Sequence, residues 1–369
     1  MPEAALHPAI RRHLDRLTDE VGIMQHAVGS RPDPAHGYCT DDVARALRVD
    51  LLHQRELGWA AVAGSAWRSM RFLSDAFDPA TGRFRNFRSA DGSWLEGRGS
   101  EDSQGRAMLA LGEVIARAPD DVMATSAANL FVRALPAAQE VTALRALASV
   151  LLGCDAALHE AVTGPIGQAH RRLSSRLSSA FGSRSTSAWP WPEPILTYEN
   201  ALPVQALITA GHRLGDRPMI DAGLRLLDWL IETQTADDDH FAPIGNGWWP
   251  HRGPKARFDQ QPIEATAVLL AAESAYRVTG DERYRTAMEY AYAWFLGKND
   301  LGVAVADPGR GACCDGLTPR GVNTNQGAES TLMWLLALEH VRAIRAGRAA
   351  AMPSVDQLPI RPLMVGSGA

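Results

Sequence analysis

The sequence predicts an all-α fold, an (α/α)6 toroid in which six helical hairpins form an inner and an outer ring. The first observation is that five segments with the apolar periodicity of a helix each begin with an acidic residue. Each follows directly after a loop rich in Gly, Pro or aromatic residues. The second is the spacing of these acids: the steps are 60, 97, 65 and 65 residues, and 60 to 65 residues hold two helices and two loops. The wider step fits two shorter hairpins with one acidic start missing. The five acids are Asp42, Asp102, Glu199, Glu264 and Glu329.

Between the acidic starts the helical pattern is persistent, and β-strand signals are scarce. Helices 2, 4, 8, 10 and 12 open on the five acids, whereas helix 6 starts without one, so the predicted ring is not symmetric. The twelve predicted helices span residues 9–20, 42–54, 60–75, 102–117, 121–135, 141–152, 159–180, 199–214, 218–234, 264–278, 281–295 and 329–346.

The third observation is that alternate helices differ in how much of their surface is apolar. Residues 265–272 and 331–338, in helices 10 and 12, are apolar nearly all round, which is typical of a helix buried on every side. Residues 281–290, in helix 11, mix charged and apolar residues at helical spacing and leave one solvated side. We therefore expect the buried even-numbered helices to form an inner ring and the amphipathic odd-numbered helices to form an outer ring around it. An open α-solenoid is the alternative, although it has less reason to bury one whole set of helices.

The domain organisation follows from the same pattern. Residues 1–350 are predicted to form a single catalytic toroid. Residues 351–369 contain three prolines and a Gly-Ser-Gly sequence, and are predicted to be a loose C-terminal tail.

Composition excludes several classes of protein. A net charge of −5 and a pI near 6.1 provide no basic surface for nucleic acid, and the absence of an 18-residue apolar run argues against a membrane span. The N-terminus shows no secretory signal, and the four cysteines match neither a zinc pattern nor a disulfide framework, so we expect a cytoplasmic protein with reduced thiols. The sequence shows no metal cluster, phosphate-binding loop or Gly-x-Ser-x-Gly nucleophile motif, and we expect no cofactor. It carries no signal of oligomeric state.

The acids at the inner helix starts predict the functional site, because parallel inner helices would bring them to one funnel. Each acid could instead merely cap its helix and stabilise the helix dipole. Polar and aromatic neighbours, which capping does not require, favour a sugar site, since aromatic planes suit sugar C–H faces and polar groups suit hydroxyls; core packing is the alternative for the tryptophans. The predicted substrate-binding residues are His36, Tyr38, Asp41, Trp94, Glu101, Arg106, Tyr198, Glu199, Trp248, Trp249, Asp259, Gln261 and Glu329.

Two carboxyl groups flanking a glycosidic bond are what hydrolysis requires: one protonates the leaving oxygen, and the other activates water or attacks the sugar. Asp42, Asp102 and Glu264 are the predicted catalytic set, without an assignment of acid and base. Their acidic neighbours would help one of them keep its proton near neutral pH. Inner helices in contact lie about 8–10 Å apart at their axes, which leaves room for a water molecule and favours inversion over retention.

Three segments resemble the six-hairpin glycosidase superfamily, and in particular bacterial toroid proteins found beside, or fused to, sugar-nucleotide-type glycosyltransferases. The segments are HGYCTDDVARAL at 36–47, SEDSQGRA at 100–107 and NQGAEST at 325–331. The resemblance covers most of the chain and implies the toroid fold and a carbohydrate substrate. The wider superfamily includes inverting hydrolases, phosphorylases, lyases and sugar epimerases.

Two alternatives to a hydrolase remain open. A sugar epimerase on the same fold would need a histidine pair as acid and base, for which His36 and His251 are the best-placed loop histidines. A non-catalytic glycan-binding accessory protein would explain the aromatic residues and acids without any chemistry.

Overall fold

The computed structural model describes residues 7–158, 162–184 and 188–347, and within these ranges the chain forms twelve α-helices. The predicted tail, residues 351–369, lies outside the described residues. The helices are α1 (Arg12–Leu17), α2 (Thr40–Leu57), α3 (Trp59–Ala76), α4 (Glu101–Arg117), α5 (Asp121–Ala138), α6 (Leu144–Ala157), α7 (Gly164–Arg184), α8 (Ala201–Leu214), α9 (Arg217–Thr233), α10 (Pro262–Thr279), α11 (Glu282–Phe295) and α12 (Ala328–Arg345).

The even-numbered helices form a closed inner ring. Each contacts the next, from α2 through α4, α6, α8 and α10 to α12, and α12 packs back against α2. The odd helices from α3 to α11 each pack on the inner helix that precedes them in the chain. The inner helices α10 and α12 are buried on nearly all sides, whereas α9 buries one apolar stripe. The predicted (α/α)6 toroid with the even helices inside is confirmed.

Several boundaries differ from those predicted. Helix α1 is only six residues long, and α6 spans 144–157 instead of 141–152. Helix α8 begins at Ala201, so Glu199 precedes the helix instead of opening it. Glu199 adopts φ +47°, a left-handed conformation that a helix cannot continue.

Short antiparallel β-strands lie in the loops that lead into the inner helices. The longest pair, β1 (Met24–Val28) and β2 (Arg31–Cys39), was not predicted, because Pro32 and Pro34 within β2 weaken the strand signal. Strand β2 runs directly into α2. The other strands are β3 (Phe77–Asp78), β4 (Arg83–Phe84), β5 (Phe87–Arg88), β6 (Ile195–Leu196), β7 (Trp249–Pro250), β8 (Ala306–Asp307), β9 (Ala312–Cys313), β10 (Gly316–Thr318) and β11 (Gly321–Asn323). They pair as β1-β2-β5, β3-β4, β6-β7, β8-β9 and β10-β11, all antiparallel.

Helices α4 and α6 approach each other very closely because glycines face each other at their contact. A Cβ atom added to Gly112 of α4 would overlap the Gly153 carbonyl oxygen of α6. The backbone-to-backbone approach brings the start of α6 beside the start of α4, where predicted site residues lie.

None of the described helices has both the length and the apolar character required to cross a membrane. Across the same residues, no group of three or more His, Cys, Asp or Glu side chains is arranged to hold a metal ion.

Candidate active site

The acids from the inner helix starts meet at one end of the ring, where arginines connect them. Arg106 of α4 forms a two-pronged ion pair with Glu199, with Nη2 2.7 Å from Oε2 and Nη1 3.3 Å from Oε1. Its Nε lies 3.5 Å from Oδ2 of Asp41, at the start of α2. The predicted acids on α2 and before α8 are therefore joined through an arginine of α4, which lies one turn after Asp102.

A second arginine, Arg45 of α2, closes the network between the first and last inner helices. Its Nη1 lies 2.8 Å from Oδ1 of Asp42, and its Nη2 lies 2.8 Å from Oε2 of Glu329 on α12. The Cys39 thiol donates a hydrogen bond to the other Asp42 oxygen at 3.1 Å. Asp42 is thus buried with both oxygens engaged, and it holds Arg45 in place.

Asp41, the neighbour of Asp42, is in a different environment. Its side chain is 19% exposed, and its buried Oδ1 has no hydrogen-bond partner. Burial raises the pKa of Asp41 to about 6, against the opposing effect of Arg106 and Arg45. A carboxyl group with a free oxygen and a pKa near neutrality can hold and release a proton under ordinary conditions.

Asp102 is the second residue of α4 and accepts a hydrogen bond from the Tyr198 hydroxyl. The guanidinium group of Arg145 lies over the Tyr198 ring, 4.7 Å from its centroid. Burial and the Asp102 charge raise the pKa of Tyr198, so its hydroxyl remains a donor to the carboxylate.

Glu264 of α10 is 3% exposed and receives two hydrogen bonds from the segment before α8. The backbone N–H of Glu199 donates to Oε1, and Nδ2 of Asn200 donates to Oε2 at 3.2 Å. Burial raises the pKa of Glu264 to about 7 in spite of these donors and of Arg145 nearby. The positive φ of Glu199 aims its N–H at Glu264, and strained backbone of this kind is typical of functional sites.

Two predicted polar residues lie outside this network. The Glu101 carboxylate accepts hydrogen bonds from the N–H groups of Thr142 and Ala143, at 2.7 and 2.6 Å, and so caps α6 from the neighbouring helix. This contact explains why α6 needs no acid of its own. Asp259 is exposed with φ +61°, and no role in the network follows from its contacts.

Gln261 occupies the N-cap position of α10 without making a side-chain cap hydrogen bond. Its half-buried side chain lies three residues before Glu264, whose backbone N–H donates to the Gln261 carbonyl at 3.1 Å. Of the remaining predicted acids, Glu329 is the most open, with 40% of its side chain exposed beside Arg45.

The predicted aromatic residues divide between core and surface. The Tyr38 hydroxyl donates to Asp19 at 2.5 Å, and Trp94 packs against Phe72 with ring centroids 5.4 Å apart. Trp249 stacks on Trp229 at 6.1 Å, and its Nε1 donates to the Gly253 carbonyl. These three side chains make the structural contacts that core packing predicts.

Trp248 is different, because it is 40% exposed and has φ +64°. It adjoins β7, which pairs with β6 just before Tyr198, so it lies on the segment that flanks the site. Among the predicted aromatic residues, Trp248 is therefore the one whose ring is available to stack on a ligand.

The two loop histidines make contacts of their own outside the arginine–carboxylate network. His36 is 56% exposed and its ring packs edge-on against His26, with centroids 4.5 Å apart. His251 stacks on Trp189 with centroids 4.8 Å apart.

Sequence reasoning did not identify Arg45, Arg145 and Asn200 as site residues. Arg45 follows Asp42 by three positions on α2, a spacing that signals a pair on one helix face. Arg145 and Asn200 act through contacts 55 residues apart in the chain, for which the sequence contains no local signal.

A scan of the sequence against models of protein families gives no match, and a search of curated proteins gives none either. Solved structures do match. A sugar epimerase from a ruminal bacterium aligns with a TM-score of 0.69 and 11% identity, over 89% of this chain and 94% of that one. The cellobiose 2-epimerase of Spirochaeta thermophila aligns with a TM-score of 0.67 and 14% identity, over 92% and 96%. The GH76 α-mannanase of Bacteroides thetaiotaomicron aligns with a TM-score of 0.58 and 10% identity, over 84% and 87%. This likeness confirms the toroid fold expected from the six-hairpin resemblance.

Proposed function

We propose that this chain is a glycoside hydrolase that acts with inversion, in the funnel formed by the N-terminal ends of its inner helices. The observation that carries the proposal is the pair of carboxyl groups of Asp41 and Asp102. They lie at the starts of adjacent inner helices, both are half-buried, and both act electrostatically on Arg106. Hydrolysis of a glycosidic bond requires two carboxyl groups, one on each side of the bond.

Asp41 is the proposed proton donor, because burial raises its pKa to about 6 while 19% of its side chain stays exposed, so it can hold a proton and pass it to the leaving oxygen. Asp102 is the proposed base, oriented by the Tyr198 hydroxyl. A water molecule gives its proton to Asp102 and attacks the anomeric carbon. In the same step the bond from the anomeric carbon to the leaving oxygen breaks, and that oxygen takes the proton of Asp41.

Asp42 and Glu264, which the sequence analysis places in the catalytic set, support this pair in our proposal. They are 2% and 3% exposed, so a substrate in the funnel meets Asp41 and Asp102 first. Asp42 anchors Arg45, and Glu264 holds the Glu199 backbone.

A histidine-based epimerase is less well supported, although sugar epimerases share the fold. His36 packs against His26 and lies in β2, whereas His251 packs against Trp189 and follows β7, which belongs to a different sheet. A purely glycan-binding protein has no need for raised carboxyl pKa values and strained backbone in its site, which are typical of catalytic centres.

The charge pattern favours a neutral sugar as substrate. Arg45 and Arg106 are each paired with two carboxylates, and the acids of the network outnumber them. An anionic sugar would therefore meet excess negative charge near the catalytic pair.

The test is release of reducing sugar from a panel of neutral oligosaccharides. Asp41→Asn and Asp102→Asn should each reduce the rate by about 10²–10⁴-fold, because each removes a proton-transfer group. Asp121→Asn is the matched control, since Asp121 is a first-turn acid on the outer helix α5, and it should keep full activity. Full activity in Asp41→Asn, or a product with an inverted ring carbon and an intact linkage, would contradict the proposal.

A further inference from the structure

We propose that Arg145 is a positioning residue that holds Tyr198 and Asn200 in the orientations required by Asp102 and Glu264. The proposal rests on the proposed function for its kinetic consequences, and on the structure alone for its geometric ones. Arg145 occupies the second position of α6, the inner helix that has no acid at its start. At the end of the ring where other inner helices supply carboxylates, α6 thus supplies a buried cation, 5% exposed.

Every nitrogen of the Arg145 guanidinium group engages the segment that leads into α8. Its Nε donates to the Tyr198 carbonyl, and its Nη2 donates to Oδ1 of Asn200 at 2.9 Å. Its Nη1 donates to Glu193 at 3.0 Å. One planar group therefore fixes three points along eight residues of an irregular segment, for which the fork geometry of arginine is suited.

The first consequence concerns Tyr198. The Arg145 Cζ atom lies 4.7 Å from the centre of the Tyr198 ring while Nε donates to the Tyr198 carbonyl oxygen, so both the ring and the backbone are restrained. The restrained ring directs its hydroxyl at the Asp102 carboxylate. Without Arg145, the orientation of the proposed base would depend on an unrestrained tyrosine.

The second consequence concerns Asn200 and Glu264. Oδ1 of Asn200 accepts from both Arg145 and the Thr197 N–H, and its Nδ2 on the opposite side donates to Glu264 and to the Thr197 carbonyl, each at 3.2 Å. The same restraint keeps Glu199, the intervening residue, at φ +47° with its N–H on Glu264. Arg145, together with Thr197, thus holds the two donors that face Glu264.

The positive charge of Arg145 lowers the pKa of Glu264, as do the hydrogen bonds from Glu199 and Asn200. The charged groups that act on Glu264 from neighbouring elements are Arg145, which lowers its pKa, and Glu199, which raises it. Glu329 of α12 is tied to Arg45 instead. Removing the Arg145 charge should therefore move the Glu264 titration to higher pH.

Two substitutions separate geometry from charge. Arg145→Lys keeps the positive charge but loses the fork, whereas Arg145→Met loses both. We expect both to reduce kcat by about 100-fold with a smaller change in KM, because a small misplacement of a catalytic group has an effect of that size. Combining Arg145→Met with Tyr198→Phe should reduce activity less than the product of the two single effects, since both changes break one chain of contacts.

Direct titration of Glu264 provides a readout that needs no substrate. Its carboxyl carbon is followed by ¹³C NMR and assigned by its loss in Glu264→Gln. We expect the midpoint to rise in both variants, because loss of the fork releases the Glu199 and Asn200 donors that lower the Glu264 pKa, and to rise further in Arg145→Met, which also loses the charge. Arg176→Met is the matched control: Arg176 of α7 donates to the Gln139 and Val141 carbonyls just before α6, so its loss should affect stability while the Glu264 midpoint and kcat stay unchanged.

An unchanged Glu264 midpoint in folded Arg145→Lys, or fully multiplicative effects in the double variant, would overturn the positioning role. If no glycan is cleaved, the hydrolase proposal fails, but the NMR titration still decides the role of Arg145. The two failures are therefore distinguishable.

Discussion

Glu264→Gln tests whether a buried carboxyl group in the network holds its proton near neutral pH. A glutamate that titrates at 4.5 when unfolded and at about 7 when folded binds a proton more tightly in the native state. Its contribution to stability is complete below pH 4.5 and is lost as pH rises through about 7. At 1.36 kcal/mol per pH unit, the loss across this window is about 3 kcal/mol. Glutamine cannot ionise, so the variant should not show this pH-dependent loss of stability.

The assay is urea unfolding of wild type and Glu264→Gln at pH 5, 6, 7 and 8, followed by circular dichroism. Glutamine also perturbs the hydrogen bonds from Glu199 and Asn200, but that effect does not change over this pH range. The other titrating groups, such as Asp41, contribute to both proteins and cancel in the difference. The free energy of unfolding of wild type should therefore fall relative to the variant between pH 5 and 8, by most of the 3 kcal/mol.

A difference between the two proteins that stays constant from pH 5 to 8 would refute the reasoning, because it would show that Glu264 is ionised throughout. Glu140→Gln is the control. Glu140 lies on the surface with 66% of its side chain exposed, paired with Arg172, and its removal should leave a constant difference.

Three further changes test the architecture of the site. Asp42→Asn should destabilise the fold by about 3 kcal/mol in thermal unfolding, because it weakens the pairing of the buried Arg45; wild-type stability would contradict the anchoring role of Asp42. Gly112→Ala should lower the free energy of unfolding by about 1–3 kcal/mol, since its methyl group would overlap the backbone of α6; no loss in urea unfolding would show that the two helices can move apart. Trp248→Ala should raise KM several-fold for long oligosaccharides with little effect on kcat, because an exposed ring contributes about 1 kcal/mol of stacking; an equal effect on the shortest substrate would argue against an outer binding position.

The ring and the common end of its acids could be predicted from the sequence, because both depend on local patterns. Apolar residues that surround a helix require burial on all sides, and an acid at the start of a run marks one end of that helix. The sequence places Asp102, Arg106 and Glu264 at this end, and the structure has them near the starts of α4 and α10. Their convergence follows once the inner helices are parallel.

The distinction between neighbouring residues could not be predicted. Asp41 and Asp42 stand four and three positions before Arg45, so helical spacing allows either to pair with it, and the structure selects Asp42 with Glu329 of α12 on the other side of Arg45. Glu101 and Asp102 are likewise adjacent on α4, yet they have different partners. Because α6 packs so closely on α4, Glu101 caps α6, whereas Asp102 binds the Tyr198 hydroxyl. Such outcomes are set by contacts between distant parts of the chain, which no local pattern encodes.

The most direct test of the central claim is ¹H NMR of a cleaved oligosaccharide, recorded in the first minutes of reaction before the product anomers equilibrate. If Asp102 activates the attacking water molecule and Asp41 supplies the proton, the new reducing end should have the anomeric configuration opposite to that of the substrate. A first product that keeps the configuration of the substrate would contradict the proposed water-mediated reaction.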